Sequence, residues 1–343
     1  MMYRFRYKNR PETGSGSQSQ KSKVLKSILG LAALLIAVGP AVAQAQAWPA
    51  KQIRIIVPFP PAGFNDTLGR ILAQELPKTL GQPVIVENRP GSGSLLGTEM
   101  AAKSPPDGYT LFVAALPFAV LQSLYKTSFD VTKDFAPITL AGVSDNMLVA
   151  HPAFPVNSVQ DLIRLAKAQP GRVNYGSSGS GTSVHLCMEL FKTMTGTFMT
   201  HIPYKGSAPV VTDLIAGQVD VMFDNLPNVI QHVKAGRMKA LAVSGPKRSP
   251  LAPEVPTVVE AGVPGFEVTV WFGLLAPAGV PRDIIQRLNV ESARIINSPD
   301  VTDKFLKLGV EPRTGTPEQY GDFVKSEVAR WARVVKDAGI KAE

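Results

Sequence analysis

Few side chains in this sequence are spaced for bond-making chemistry. The four histidines, His151, His185, His201 and His232, show no metal-ligand spacing and no neighbouring carboxylate cluster. A nucleophile elbow would read Gly-x-Ser-x-Gly, and no stretch matches it. Gly91 to Gly97, GSGSLLG, misses the dinucleotide fingerprint by one residue between its last two glycines. The single cysteine, Cys187, lies in SVHLCMELF among apolar residues at helical spacing, which describes a packed thiol rather than a nucleophile. His185 shares that helix and reads as a satisfied structural group. Asp220 and Asp224 stand four apart on one strand, hence on one face, and could mimic a carboxylate pair. Asp224 and Asn225, at the strand end, are better placed to meet a ligand, directly or through water. Lys205 could pair with an anion or with a neighbouring carboxylate. Neither a metal nor a cofactor is expected from this inventory.

What the chain does offer is backbone donors. The stretch PFPPAGFND, Pro58 to Asp66, joins a strand to a helix. YGSSGSGTS, Tyr175 to Ser183, and YKGSAP, Tyr204 to Pro209, each open another helix. Helix starts leave free N–H groups with partial positive charge, so such loops can hold an anion without proton transfer. Prolines fix the backbone of the first loop before any ligand arrives, and Gly63 permits close approach. Asp66 would repel an anion there unless it caps the helix facing away. Any one of these loops taken alone reads first as an ordinary α/β turn; three in one chain shift the balance toward an anion site without naming the ligand.

The elements that carry these loops alternate. Ile53 to Pro58 is β-rich, and Leu68, Ile71, Leu72, Leu76 and Leu80 form one apolar helical stripe closed by Gly81. PVIVEN, a helix to about Lys103 and GYTLFVAA follow, a βαβα rhythm that predicts a largely parallel sheet. A second set begins at DNMLVAH. It continues through a helix from Ser158 to Ala168, RVNYGSS, a helix from about Thr182 to Thr193 and FMTHIPY. APVVTDLIAG, VDVMFDN, a further helix and MKALAVSG complete it. VTVWFGLLAP is a long strand, and helices start near Pro281, Pro299 and Pro317. Two extended segments, near 145–151 and 267–276, flank the middle group, and a chain that passes twice between two sheets gives a hinge with a cleft.

At 343 residues the default expectation is two compact units. The first 47 residues stand apart: a basic opening, a Gly/Ser/Gln segment, then the apolar run Ile28 to Val38 between lysines and the small-x-small sites ending at Ala43 and Ala47. The run is too short for a resident membrane helix and reads as a secretory signal peptide. That leader holds seven Lys/Arg and one Asp/Glu, so residues 48–343 carry 29 basic and 26 acidic residues, a net charge of +3. The whole-chain excess of +9 is therefore no argument for nucleic acid. One cysteine allows no internal disulfide.

Residues 48 to 343 resemble the Bug (Bordetella uptake gene) family, the extracytoplasmic solute receptors of tripartite tricarboxylate transporters. The likeness rests on WPAKQIRIIVPFPPAG, GQPVIVENRPGSGSLLGTEMAAKSPPDGYTL, KDFAPITL, NYGSSGSGTSVHLCMELFK, HIPYKGSAPVVTDLIAGQVDVMFDNLP, KALAVSGPKRSPLAPEVPTVVEAGVPGFE and WFGLLAPAGVP. It implies an α/β, type II periplasmic binding protein fold of two lobes that close on a ligand in an interdomain cleft. The lobes would be residues 48–147 with 268–343, and residues 148–267. The resemblance further implies a small organic carboxylate held by the loop Pro60, Pro61, Ala62, Gly63, Phe64, Asn65 and Asp66, often through ordered waters. Donors of the other lobe would be Ser177, Ser178, Gly181, Thr182 and Ser183, with Lys205, Asp224 and Asn225 beyond. Where the family usually reads Pro-Ala-Gly-Gly, this chain has Pro61-Ala62-Gly63-Phe64. Phe64 in place of a small residue points to a ligand with an apolar or aromatic body.

The resulting expectation is a periplasmic monomer that contacts an inner-membrane permease transiently and no nucleic acid. A ligand sensor for a signalling partner and an enzyme on the same fold are the alternatives.

Overall fold

The run IRIIV is rich in β-branched residues and forms the first strand, β1 (Ile53–Val57), in the computed structural model. The structure describes residues 48–341 together with residues 2–4, 6, 8 and 9. The expected leader lies outside the described residues apart from those few positions. Residues 48–343 form one compact unit.

β1 sits between β2 (Val84–Asn88) and β3 (Thr110–Ala115), all parallel, with α1 (Phe64–Glu75), α2 (Pro77–Leu80) and α3 (Leu95–Ala102) in the connections. The single helix expected up to Gly81 breaks at Pro77, which lacks the N–H that would continue the ladder. α4 (Leu116–Leu124) follows β3 without any loop.

β4 (Phe135–Ala150) then changes partners along its length. Residues 135–145 pair antiparallel with β9 (Thr269–Pro277), which also pairs with β3. Residues 146–150 pair with β7 (Val221–Asn225), beside which β5 (Asn174–Ser177) and β6 (Thr200–Pro203) run parallel. β8 (Lys239–Val243) pairs antiparallel with residues 147–150 along the other edge of β4. Helices α5 (Val159–Ala168), α6 (Ser183–Thr195), α7 (Ser207–Ile215) and α8 (Leu226–Lys234) connect this half of the sheet. The chain returns through residues 244–268 into β9 and ends in α9 (Arg282–Ile296), α10 (Pro299–Lys307), β10 (Val310–Pro312), which pairs with β4, and α11 (Pro317–Asp337).

The largely parallel sheet expected from the βαβα rhythm is therefore mixed. Each half has a parallel set, but β4 carries the chain outward and β9 carries it back, so the two must run antiparallel where they meet. At the exchange point the two crossings are tied together. The Asn146 N–H donates to Ser244 Oγ at 2.9 Å, the Ser244 N–H to Asn146 O at 2.8 Å and the Val268 N–H to Ser244 O at 2.9 Å. Separate apolar clusters pack the two ends, one around Ile55, Leu68 and Phe305 and one around Met147, Val210 and Leu214. A third runs through both halves.

Candidate ligand-binding site

The turn after β1 is stiffened twice. Pro58, Pro60 and Pro61 restrict it covalently. Asp66, only 4% exposed, pins it from beneath. Its Oδ2 accepts from the Ala62 N–H at 3.2 Å and Arg70 Nε at 2.8 Å, and its Oδ1 accepts from Asn88 Nδ2 at 2.9 Å. The same Asn88 amide donates to Phe59 O at 3.1 Å. Burial alone would raise the Asp66 carboxyl, but the bonds from Arg70, Asn88 and Ala62 outweigh it and hold it below the ordinary carboxylate range. Ala62 adopts φ 76°, a left-handed conformation that alanine accepts only when its surroundings hold it there. Asp66 thus turns away from the cleft, as expected, but by accepting from the loop backbone at Ala62 rather than by capping the helix.

Across the cleft, β5 runs into the Gly/Ser loop before α6. Ser177 is fully buried; its Oγ lies 2.6 Å from His201 Nε2 and accepts from the Gly179 N–H at 3.2 Å. Thr182 Oγ1 donates to Gly179 O at 2.6 Å. The neighbouring turn is bound to this loop through Tyr204 N to Ser177 O at 3.0 Å and Gly206 N to Ser178 O at 3.1 Å. The two halves approach closely at two glycines. A Cβ on Gly206 would lie 3.0 Å from Pro60 Cγ, and one on Gly93 would lie 2.7 Å from Ser180 O.

Asp224, at the end of β7, is 1% exposed and accepts from Ser207 Oγ, from Asn228 Nδ2 at 2.9 Å and from the Asn225 N–H at 2.7 Å. Burial pushes its carboxyl up against the lowering effect of those bonds. Asn225 Nδ2 donates to Asn146 Oδ1 at 2.6 Å and to Ser183 Oγ at 3.2 Å, joining the cleft wall to the strand crossing. Asp220 turns away to accept from the Asn174 N–H at 2.7 Å, so the carboxylate pair suggested by the spacing is not formed. Cys187 is buried and its thiol is pushed well above the usual range, as befits a packed group.

These segments enclose a cavity of about 440 Å³. Pro60, Pro61, Ala62, Gly63, Phe64 and Asn65 line one side. Ser178, Thr182, Ser183, Lys205, Asp224 and Asn225 line the other. Three residues expected at the site do not line it. Asp66 and Ser177 are buried beneath their loops, and Gly181 is turned so that its N–H meets His185 Nδ1 at 3.2 Å. Phe64 reaches the cavity yet is only 4% exposed, its ring 4.5 Å from that of Phe272 and 4.9 Å from that of Phe305. Most of Phe64 is core, and its remaining surface lines the cavity.

Sequence reasoning missed Ser207 and Asn228 on α7 and α8, His232 one helical turn beyond Asn228, and the apolar Phe59, Pro117, Val270 and Phe272. The YKGSAP loop pointed to Ser207; nothing local pointed to Asn228 or Val270.

One pattern unites the lining. Gly63, Ala115, Thr182, Gly206 and Asn225 are the N-caps of α1, α4, α6, α7 and α8; all five line the cavity and none makes a side-chain cap. Elsewhere Ser158 caps α5 and Thr316 with Gln319 forms a capping box on α11, while α9 and α10 also start without a side-chain cap. The uncapped first turns bring partial positive charge toward one space.

A family model, the tripartite tricarboxylate transporter family receptor TctC, matches residues 68–340. The chain belongs to this receptor family. BugT of Bordetella pertussis is 40% identical over 300 residues, 87% of this chain and 92% of that protein. A UPF0065 protein from the tcbD-tcbE intergenic region of Pseudomonas sp. strain P51 is 38% identical over 298 residues, 86% of this chain and 89% of that protein. Among solved structures, a protein of R. palustris with adipate superposes with a TM-score of 0.82 at 39% identity, covering 86% of this chain and all of that one. MatC from Rhodopseudomonas palustris with bound malate gives 0.80 at 32% identity, covering 84% of this chain and all of that one. Another, the periplasmic binding protein BugD, gives 0.81 at 33% identity over 86% of this chain and all of that one. The TctC receptor described here therefore has the two-lobed α/β fold of periplasmic binding proteins, with β4 and β9 as the crossing strands.

Proposed function

We propose that this TctC receptor captures a small organic carboxylate in the cleft between its lobes and hands it unchanged to an inner-membrane permease. The observation that carries this reading is the convergence of five uncapped helix N-termini on one cavity. Hydrogen bonds from such donors to a charged partner contribute about 1.5–3 kcal/mol each, so a few offset association costs and leave micromolar affinity, about −8 kcal/mol. Relatives of the same family are solved with adipate and with malate, both carboxylates.

In this reading the lobes are residues 48–147 with 268–343, and residues 148–267. The carboxylate rests between residues 60–65 and Ser178, Thr182, Ser183 and Asn225. Ser207 and Asn228 hold Asp224 as a wall. The chain is exported, is cleaved after about Ala43 to Ala47, acts as a monomer and does not bind nucleic acid. The non-enzymatic reading draws on Ser177: its hydroxyl has a histidine partner but is buried outside the cavity, where a substrate cannot meet it.

The test is calorimetry and thermal shift on the purified protein against adipate, malate and aromatic acids, each beside its neutral amide. Carboxylates should raise the melting temperature, by the equivalent of about 2.7 kcal/mol at a hundred times Kd, and amides should not. Equal binding of the amides, or recovery of altered compound, would reject this function.

A further inference from the structure

Beneath the Gly/Ser loop lies a group of side chains, Tyr175 and His185 buried and His201 half-buried, that the carboxylate-binding reading leaves unused. The His185 and His201 rings stack at 4.4 Å, and Tyr175 stacks on the other face of His201 at 4.7 Å. His185 Nδ1 accepts the Gly181 N–H at 3.2 Å, so this nitrogen carries no proton. His201 Nε2 meets Ser177 Oγ at 2.6 Å, and that oxygen accepts the Gly179 N–H. Two imidazoles thereby fasten two backbone amides of the loop whose Ser178, Thr182 and Ser183 line the cavity.

We infer that the His185–His201 stack is a proton-sensitive mount for this loop, and that protonating His185 loosens the loop and weakens ligand retention. An imidazolium donates from both nitrogens, so a protonated His185 confronts the Gly181 N–H with a second donor. Stacking at 4.4 Å disfavours charge on both rings together. Charged and titratable groups face the pair from α6, β5 and the end of α4. Glu189 lies one turn along α6, 4.0 Å from His185 Nε2. Lys192, 2.6 Å from Glu189, and the Tyr175 hydroxyl both bond that carboxylate. Tyr125, at the end of α4, abuts Gly181. The Glu189 charge, 4.0 Å from Nε2, favours the neutral tautomer protonated on that nitrogen, which leaves the acceptor on the Gly181 side. Neither His185 nor His201 lines the cavity; they are positioning residues, and this role rests on the cleft being the binding site.

The test compares wild type, His185→Asn and His185→Leu by hydrogen exchange of residues 177–183 without ligand, and by adipate titration, at pH 7.5 and pH 5.0. Asparagine places an amide oxygen where Nδ1 stands and cannot be protonated. His185→Leu should lose at least tenfold in loop protection and in adipate affinity. Wild type should show the same losses between pH 7.5 and pH 5.0, and His185→Asn should resist them while matching wild type at pH 7.5. Should His185→Leu fail to fold, the asparagine variant decides alone. Wild-type protection in His185→Leu, or an undiminished acid loss in His185→Asn, overturns the mount. If wild type binds no adipate, the functional reading suffers, and the ligand-free exchange still decides whether the mount exists.

Discussion

The cleft wall of residues 58–66 is stiffened by prolines and by a carboxylate held ionised below the loop, whereas the wall of residues 177–183 is a Gly/Ser segment fastened by histidine and hydroxyl groups. Both present uncapped helix starts to the same cavity. The difference lies in what can release them. The Asp66 carboxyl is held below its ordinary range, so its three bonds are at full strength from pH 5 to pH 8 and are lost only as pH falls through that lowered value. The opposite wall hangs on imidazole nitrogens, and protonation is the release inferred for it above. A two-lobed receptor with one fixed jaw and one releasable jaw can keep its shape while its grip varies.

The largest effect that would challenge this contrast is expected at Phe64, because the fixed wall is also anchored in the core. Phe64→Ala removes a ring packed on Phe272 and Phe305 and should cost roughly 3–5 kcal/mol of stability. Thermal unfolding measures it. A loss under about 1 kcal/mol with altered ligand choice would return Phe64 to the role its position in the loop first implied.

Next in size is Asp145, where β4 leaves one half of the sheet for the other. Burial, then the charges of Glu267 and Glu311, push its carboxyl up to about 7. The folded value lies above the unfolded one of about 3.9, so ionisation costs stability. That cost is absent below about pH 4, grows as the pH rises and is complete above about pH 7. Asp145→Asn should therefore stabilise the protein at pH 8, on the order of 3 kcal/mol, and the gain should vanish toward pH 4. Melting curves across this range check it, and a gain that grows on acidification would contradict the sign. Asp145→Asn also removes a hinge titration that overlaps the histidine effect, which sharpens the comparison of the two walls.

Asp66→Asn probes the fixed jaw directly. It keeps the size but replaces a charged acceptor of three bonds, for a loss of about 2 kcal/mol that should be the same at pH 5.5 and pH 8. A loss that changed across that interval would mean the first wall is as titratable as the second.

How much of this contrast could be read in the residues depends on whether a signal is local. Prolines and glycines mark both loops, and the alternation of apolar runs gives most strands and helices to within a few residues. α4 escaped because Leu116-Pro117 starts the helix straight after β3 with no turn residues to announce it. The first ten residues of β4 escaped because their partner, β9, is more than a hundred positions away. At the site, the backbone loops were legible, but the network of Ser207, Asn228 and Asp224 exists only where α7, α8 and β7 converge. Phe64 was ambiguous for the same reason. A large apolar residue in a loop can face a ligand or a core, and only Phe272 and Phe305 decide which.

Lys205 should give the smallest effect. It lines the cavity with an exposed side chain, where solvent and salt screen its charge, while the helix starts opposite hold donors fixed at low reorganisation cost. If backbone donors on two walls carry the ligand, Lys205→Ala should weaken adipate binding less than tenfold, under about 1.4 kcal/mol. Titrations at about 0.05 M and about 0.5 M salt separate the cases, since a pair held by Lys205 would lose affinity with added salt and buried backbone donors would lose little. Abolished binding in Lys205→Ala would place the anchor on one mobile cation, and the contrast between a fixed and a releasable wall would then no longer govern retention.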